Sequence, residues 1–326
     1  FKMTKTNAVD MHCDTILRLV DDNGDLYSNE GQLDIKRMKE SGYLLQCFAM
    51  FIDLKRYDKP LERTLQMIDK YYQEMEKNVS YIRPVFSYSD IEENMKNKIM
   101  SAMLTIEDGG VTQGNLSFLR ILYLLGVRMI TLTWNYENGI GYPSFQTIDG
   151  KPDFKKPETE KGLTKEGIAF VKEMERLGMI IDVSHLSDKG FYDVYENTSK
   201  PFVASHSNSR SECLSTRNMT DDMIKKLASR GGVLGINYCT SFVNEDGKYS
   251  HVKDLIKHIK HIKELVGIDY VGLGSDFDGI GNNLELNSCD KLPLLQEEMR
   301  KSGFTDDEIE KVFYKNTLRV FKEVLL

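Results

Sequence analysis

Along the chain, short runs in which nearly every position is apolar recur between longer segments whose apolar positions repeat every three or four residues. Eight of the short runs lean towards β structure, at residues 8–12, 44–50, 102–106, 127–133, 179–184, 202–205, 233–237 and 270–274. Most are apolar throughout rather than alternating, which predicts strands covered on both faces, as in a parallel sheet. Helical period fills 61–81 and 89–98, a charged insertion after the second strand. It returns at 117–125, 165–177, 188–196, 221–229 and 252–266 after later strands. The last helix, 306–324, opens on Thr305-Asp306-Asp307-Glu308, a capping box that satisfies the first free backbone N–H groups. Eight strands alternating with helices, with no break in composition, predict one α/β domain over residues 1–326, a (β/α)8 TIM barrel. A doubly wound sheet is the structural alternative. Residues 135–162 form a long connection interrupted by Gly139, Gly141, Pro143, Gly150 and Pro152. After a barrel strand, such a connection reads as an active-site loop.

Composition narrows the class. A chain of 326 residues, 40% hydrophobic, can bury a large core, and a net charge of −7 with dispersed basic residues argues against nucleic acid as a partner. No apolar run approaches the ~20 residues of a membrane span. The opening Phe1-Lys2-Met3-Thr4-Lys5 lacks the apolar core of a secretory signal, and Phe1 and Lys2 ahead of Met3 read as an artificial remnant. The five cysteines (Cys13, Cys47, Cys213, Cys239, Cys289) are widely spaced and form no C-x-x-C pair. That is the profile of reduced thiols, so a cytoplasmic protein is expected.

The candidate chemistry lies where the strands end. In Asp10-Met11-His12-Cys13-Asp14, His12 and Asp14 stand two apart, so on extended chain they face the same way and can grip one metal together. Glu107, His185, His206 and Asp276 each lie just past another apolar run. In a parallel barrel all these ends meet at one mouth. A lone histidine is more often a hydrogen-bonded structural residue than a ligand. Ligand chemistry at five rim positions in strand register is a different matter. Three imidazoles and three carboxylates exceed the ligand set of one catalytic zinc and suit two ions about 3.5–4 Å apart sharing a carboxylate. Imidazole selects zinc-like metals over magnesium or calcium.

Other motifs recede. His258 and His261 share a helix face but have no carboxylate or thiolate at ligand spacing. Gly109-Gly110 and Gly272-Leu273-Gly274 lack the Gly-Lys-Ser/Thr of a phosphate loop and read as tight turns near the site. Cys13 points away from its two neighbours and reads as packing. No Gly-x-Ser-x-Gly elbow supports a serine hydrolase.

Several segments together resemble the membrane (renal-type) dipeptidase family, peptidase family M19, of the amidohydrolase superfamily. They are Val9 to Asp14, Ile106-Glu107-Asp108-Gly109-Gly110, Ile181-Asp182-Val183-Ser184-His185, Ser205-His206-Ser207-Asn208, Thr216-Arg217-Asn218 and Gly274-Ser275-Asp276-Phe277-Asp278-Gly279. The resemblance runs in order through nearly the whole chain. It implies a zinc-dependent dipeptidase with two Zn2+ per chain, which attacks the peptide bond of a dipeptide with a metal-bridging hydroxide. Several members accept a C-terminal D-residue. It implies that His12 and Asp14 hold one zinc, that His185 and His206 hold the other, and that Glu107 bridges them. It gives Asp276 the proton of the attacking water, Arg217 the substrate's terminal carboxylate, and the protein a homodimer.

One position departs from the family. Animal members carry a histidine after the fourth strand, where this chain reads Leu132-Thr133-Trp134-Asn135. An indole N–H donates one hydrogen bond but cannot take up or relay a proton, so Trp134 and Asn135 are expected to contact substrate in a different way. The alternative on the same barrel is a binuclear amidohydrolase acting on N-acyl-D-amino acids, cyclic amides or lactones. A catalytically silent scaffold would normally show a lost ligand, and none is missing.

Overall fold

The computed structural model describes residues 5 and 7–326. Phe1 and Lys2, read above as a remnant, lie outside the described residues. The strands are β1 (Ala8–Asp10), β2 (Tyr43–Phe51), β3 (Ile82–Pro84), β4 (Met100–Glu107), β5 (Val127–Thr131), β6 (Phe145–Ile148), β7 (Lys151–Pro157), β8 (Ile180–Asp182), β9 (Val203–Ala204), β10 (Val233–Ile236) and β11 (Val271–Leu273). Eight of them, β1-β2-β4-β5-β8-β9-β10-β11, pair in parallel, and the β11–β1 pairing closes the ring. With helices between the strands this is a (β/α)8 TIM barrel, and the eight strands are the eight apolar runs of the sequence.

Period two decides which side chains enter the barrel. Val9, Leu45, Cys47, Met103, Met129, Ile180, Val203 and Val233 form one buried cluster, joined by Leu318, Phe321 and Val324 of the last helix. Their strand neighbours Ala8, Phe48, Ala102, Leu104, Ile106 and Leu234 belong to a second cluster that packs against the surrounding helices. Glu107 is two residues beyond Thr105 and four beyond Met103, so β4 aims it at the same side as the inner layer.

The helices Lys165–Leu177, Asp221–Ser229 and Val252–Val266 run as the periodicity predicts. The insertion after β2 consists of the helices Pro60–Lys77 and Tyr88–Lys96, with β3 between them against the start of β4. Among the described residues, four α-helices were not signalled: Thr15–Asp22, Ile35–Ser41, the single turn Thr240–Val243, and Leu292–Lys301. The last helix keeps its capping box but is interrupted by a π turn at Lys311–Lys315. Within the long connection, β6 and β7 form an antiparallel hairpin turned by Asp149 and Gly150, both at positive φ (51° and 77°). No helix among the described residues is long and apolar enough to cross a membrane.

Candidate metal centre

Six side chains from the ends of β1, β4, β8, β9 and β11 converge at the mouth. His12 Nε2 lies 3.4 Å from Asp14 Oδ2, 3.6 Å from Glu107 Oε1 and 3.6 Å from Asp276 Oδ1. The other oxygen of Glu107, Oε2, is 3.4 Å from His185 Nε2 and 3.3 Å from His206 Nε2. One carboxylate thus faces two donor groups, His12 with Asp14 on one side and His185 with His206 on the other. His185 and Asp276 adopt positive φ (71° and 65°), a region that non-glycine residues seldom occupy and that clusters at functional sites.

The donor atoms want cations. Ser205 Oγ gives its only proton to Asp182 Oδ2 (2.5 Å), so at 2.7 Å from His206 Nδ1 it must accept a proton from that ring. Asn135 Oδ1, 3.1 Å from His185 Nδ1, accepts in the same way. Both rings therefore present Nε2 lone pairs, and these two acceptors face each other at 3.2 Å with nothing to share. Among the described residues, His12 Nε2, Asp14 Oδ1 and Glu107 Oε2 are also buried without a hydrogen-bond partner. Buried polar atoms seldom go unpaired, and metal ions would satisfy all of them.

The electrostatics agree. Burial holds the His185 and His206 imidazoles well below their usual pKa, in the neutral form that binds metal. Burial pushes the Glu107 carboxyl well above its usual range and Asp276 up to about 7, with Asp14 adding to both. His12 moves up, since Glu107 and Asp14 outweigh the burial that would lower it. Three carboxylates packed this closely in a dry site call for compensating positive charge.

A supporting layer fixes the donors. Asp182 also accepts from Thr131 Oγ1 (2.5 Å) and from the backbone of Ser184 (3.1 Å) and Ser205 (2.8 Å). Asp10 accepts from Ser275 N (2.8 Å) and Oγ (2.6 Å), which sets the segment carrying Asp276. Asp278 accepts from Thr15 Oγ1 (2.7 Å) and Gln32 N (2.9 Å), tying that segment to the chain after Asp14. Gly279 runs so close to Asp14 that any Cβ there would collide with Asp14 Oδ2.

The cluster opens into a cleft of about 440 Å3, lined among others by Asp14, Glu107, His185, Asp276 and Trp134. A second cavity of about 360 Å3 adjoins it, sharing Asn135, His185 and Phe242, and holds Arg217. The buried guanidinium donates from Nη2 to His206 O (2.8 Å) and from Nη1 to Ser207 Oγ (3.2 Å), while Nε has no partner.

The family model for membrane dipeptidases, peptidase family M19, matches residues 2–326. The chain belongs to the membrane dipeptidase family. It is a hydrolase of the metallo-dipeptidase class. An uncharacterised dipeptidase of Schizosaccharomyces pombe is 32% identical over 307 residues, covering 90% of this chain and 72% of its own. The fold is similar to that of dipeptidase AC, an M19 metallopeptidase, at 26% identity and a TM-score of 0.90, with 99% of each chain covered. It is equally similar to a metallopeptidase of Rhodobacter sphaeroides liganded with a phosphinate mimic of the dipeptide L-Ala-D-Ala. That pair is 25% identical with a TM-score of 0.90, covering 98% of this chain and 100% of the other.

In this dipeptidase-family chain, the structure brings together every residue singled out in the sequence. His12, Asp14, Glu107, His185, His206 and Asp276 form the cluster, and Arg217, Trp134 and Asn135 line the adjoining cavities. Asn135 also bonds to a cluster imidazole, which the sequence did not suggest. Trp134 packs edge-on against Phe51 (4.8 Å between ring centres) and Tyr136 (5.4 Å), and its backbone N–H donates to Asp108 (3.0 Å). The histidine pair of the helix Val252–Val266 is structural. His258 accepts from Ser209 N (3.1 Å) and donates to Val243 O (2.8 Å), while His261 pairs with Asp221 (2.8 Å). Cys13 is fully buried, as expected.

Sequence reasoning left Asp10 and Asp182 without roles. Their signal was present, as single acids in otherwise apolar strands, two and three residues ahead of a cluster histidine.

Proposed function

We propose that the whole chain is one catalytic domain, a zinc-dependent dipeptidase that holds two zinc ions and cleaves the peptide bond of dipeptides. The observation that carries the reading is the division of Glu107, with Oε1 towards His12 and Oε2 towards His185 and His206. His12, Asp14 and Glu107 would hold one ion, and Glu107, His185 and His206 the other. Bound there, such a pair of ions supplies an activated water near neutral pH and polarises the scissile carbonyl.

The chain's own groups do the rest. Asn237 Nδ2 donates to Asp276 Oδ2 (3.1 Å), leaving Oδ1 turned towards the cluster to take up a proton. From that position Asp276 serves first as base and then as acid to the leaving amine. Arg217, with Nε and part of its fork unused, binds the free carboxylate of the C-terminal residue. An interior bond of a longer chain offers no carboxylate there, so endopeptidase activity is expected to be negligible. The indole of Trp134 lines the cleft, where it contacts substrate. The ligand of the Rhodobacter sphaeroides relative supports including a C-terminal D-residue among the substrates. Five free cysteines support the cytoplasmic reading.

A panel of L,L-, L,D- and D,D-dipeptides against N-acetyl amino acids, assayed with added zinc, tests the proposal. Dipeptide hydrolysis is expected. Cleavage of the N-acetyl compounds alone would replace the dipeptidase reading with the amidohydrolase one.

A further inference from the structure

The cavity around Arg217 has walls that carboxylate binding alone does not require. Phe154, Leu214 and Phe242 line it, with Ser241 and Lys155. Phe154 and Leu214 remain 41% and 47% exposed, so two large apolar side chains lie uncovered beside a buried cation. Uncovered apolar surface at the edge of a concave site marks a place where a ligand completes the packing.

These walls are tied to the segment that carries Arg217. The Phe154 carbonyl accepts from the N–H of Thr216, the residue before Arg217, at 2.8 Å. The Phe154 ring packs on Phe145, with ring centres 4.7 Å apart. The Arg217 guanidinium stacks over the Phe242 ring at 5.0 Å. The hairpin strand β7, the arginine segment and Phe242 are therefore one assembly.

We propose that Phe154, Leu214 and Phe242 form the pocket for the side chain of the C-terminal residue, and that the enzyme prefers dipeptides ending in an apolar residue of Leu or Phe size. The inference rests on the dipeptidase reading above. The Cα of that residue carries the scissile nitrogen, the carboxylate and the side chain. The nitrogen is placed at Asp276 and the carboxylate at Arg217, so the side chain is left the volume between the three apolar walls. Phe154, on the hairpin, is thus a specificity-determining residue. Lys155 is the charged exception, and a pocket governed by it would prefer an acidic side chain instead.

The test is kcat/KM of the zinc-loaded enzyme over a Gly-X series, with X as Gly, Ala, Leu, Phe or Glu. The Leu and Phe members are expected to exceed Gly by about tenfold or more. In Phe154→Ala the Leu-to-Gly ratio should fall several-fold, and Phe154→Leu should recover most of it. A flat series, or a preference for Glu, with dipeptides still cleaved, overturns the pocket assignment and leaves the dipeptidase reading standing. Failure to cleave any member overturns both. The wild-type series decides the matter even if Phe154→Ala does not fold.

Discussion

Glu107 is the residue on which both halves of the cluster depend, because its two oxygens face different donor groups. Replacing it with Ala should take bound zinc from two equivalents to nearly none by elemental mass spectrometry, and retention of two would refute the bridging role. Arg217 makes a different kind of contribution. Charge-assisted hydrogen bonds are worth about 1.5–3 kcal/mol, so Arg217→Ala should raise KM for dipeptides about 10–100-fold. Lys keeps the charge but loses the fork, so Arg217→Lys should lie between. Equal steady-state kinetics for the two variants would remove the carboxylate role. At this scale, legibility depended on where a residue's partners lie in the chain. His12 and Asp14 reveal each other two positions apart. Asp182 works through Thr131, 51 residues before it, and Ser205, 23 after it, and only the closed sheet brings those together.

Among the elements, the eight barrel strands were readable because burial on both faces leaves an unbroken apolar run. Three-residue β3 was not, since it lies between two helices and pairs only with the first residues of β4. The hairpin β6–β7 is largely exposed and shows no regular apolar alternation, yet its Asp149-Gly150 pair is a strong two-residue turn signal. The helix Thr15–Asp22 gave no start signal. Asp14 occupies its cap position, but its carboxylate makes no capping bond and turns to His12 instead. His258, in the helix Val252–Val266, bonds Ser209 just past the His206 segment, and burial pushes its pKa from 6.5 down to about 4. Unfolded chain binds that proton below pH 6.5, whereas the folded protein resists it until about 4. Stability is therefore fullest above pH 6.5 and falls through that window by about 3 kcal/mol. Urea unfolding of His258→Gln should show a shallower loss between pH 7 and 4.5 than wild type, and an identical slope would contradict the assignment.

For the whole molecule, the ring of strands is what gathers a candidate metal centre from residues up to 264 positions apart in sequence, His12 and Asp276. Closure through the β11–β1 pairing sets the first and last barrel strands beside each other, with Asp276 N donating to His12 O at 3.1 Å. The fold was legible because the count and alternation of elements leave few architectures. The apolar pocket beside Arg217 was not, because its walls come from the hairpin and from two separate later segments. On the proposed reading, two metal ions held by one shared carboxylate drive dipeptide hydrolysis. The rate of hydrolysis of a single dipeptide, followed as zinc is added stepwise to metal-free protein, tests it most directly. The rate is expected to rise to a plateau at two equivalents per chain. A plateau at one equivalent, or full activity before any zinc is added, would contradict it.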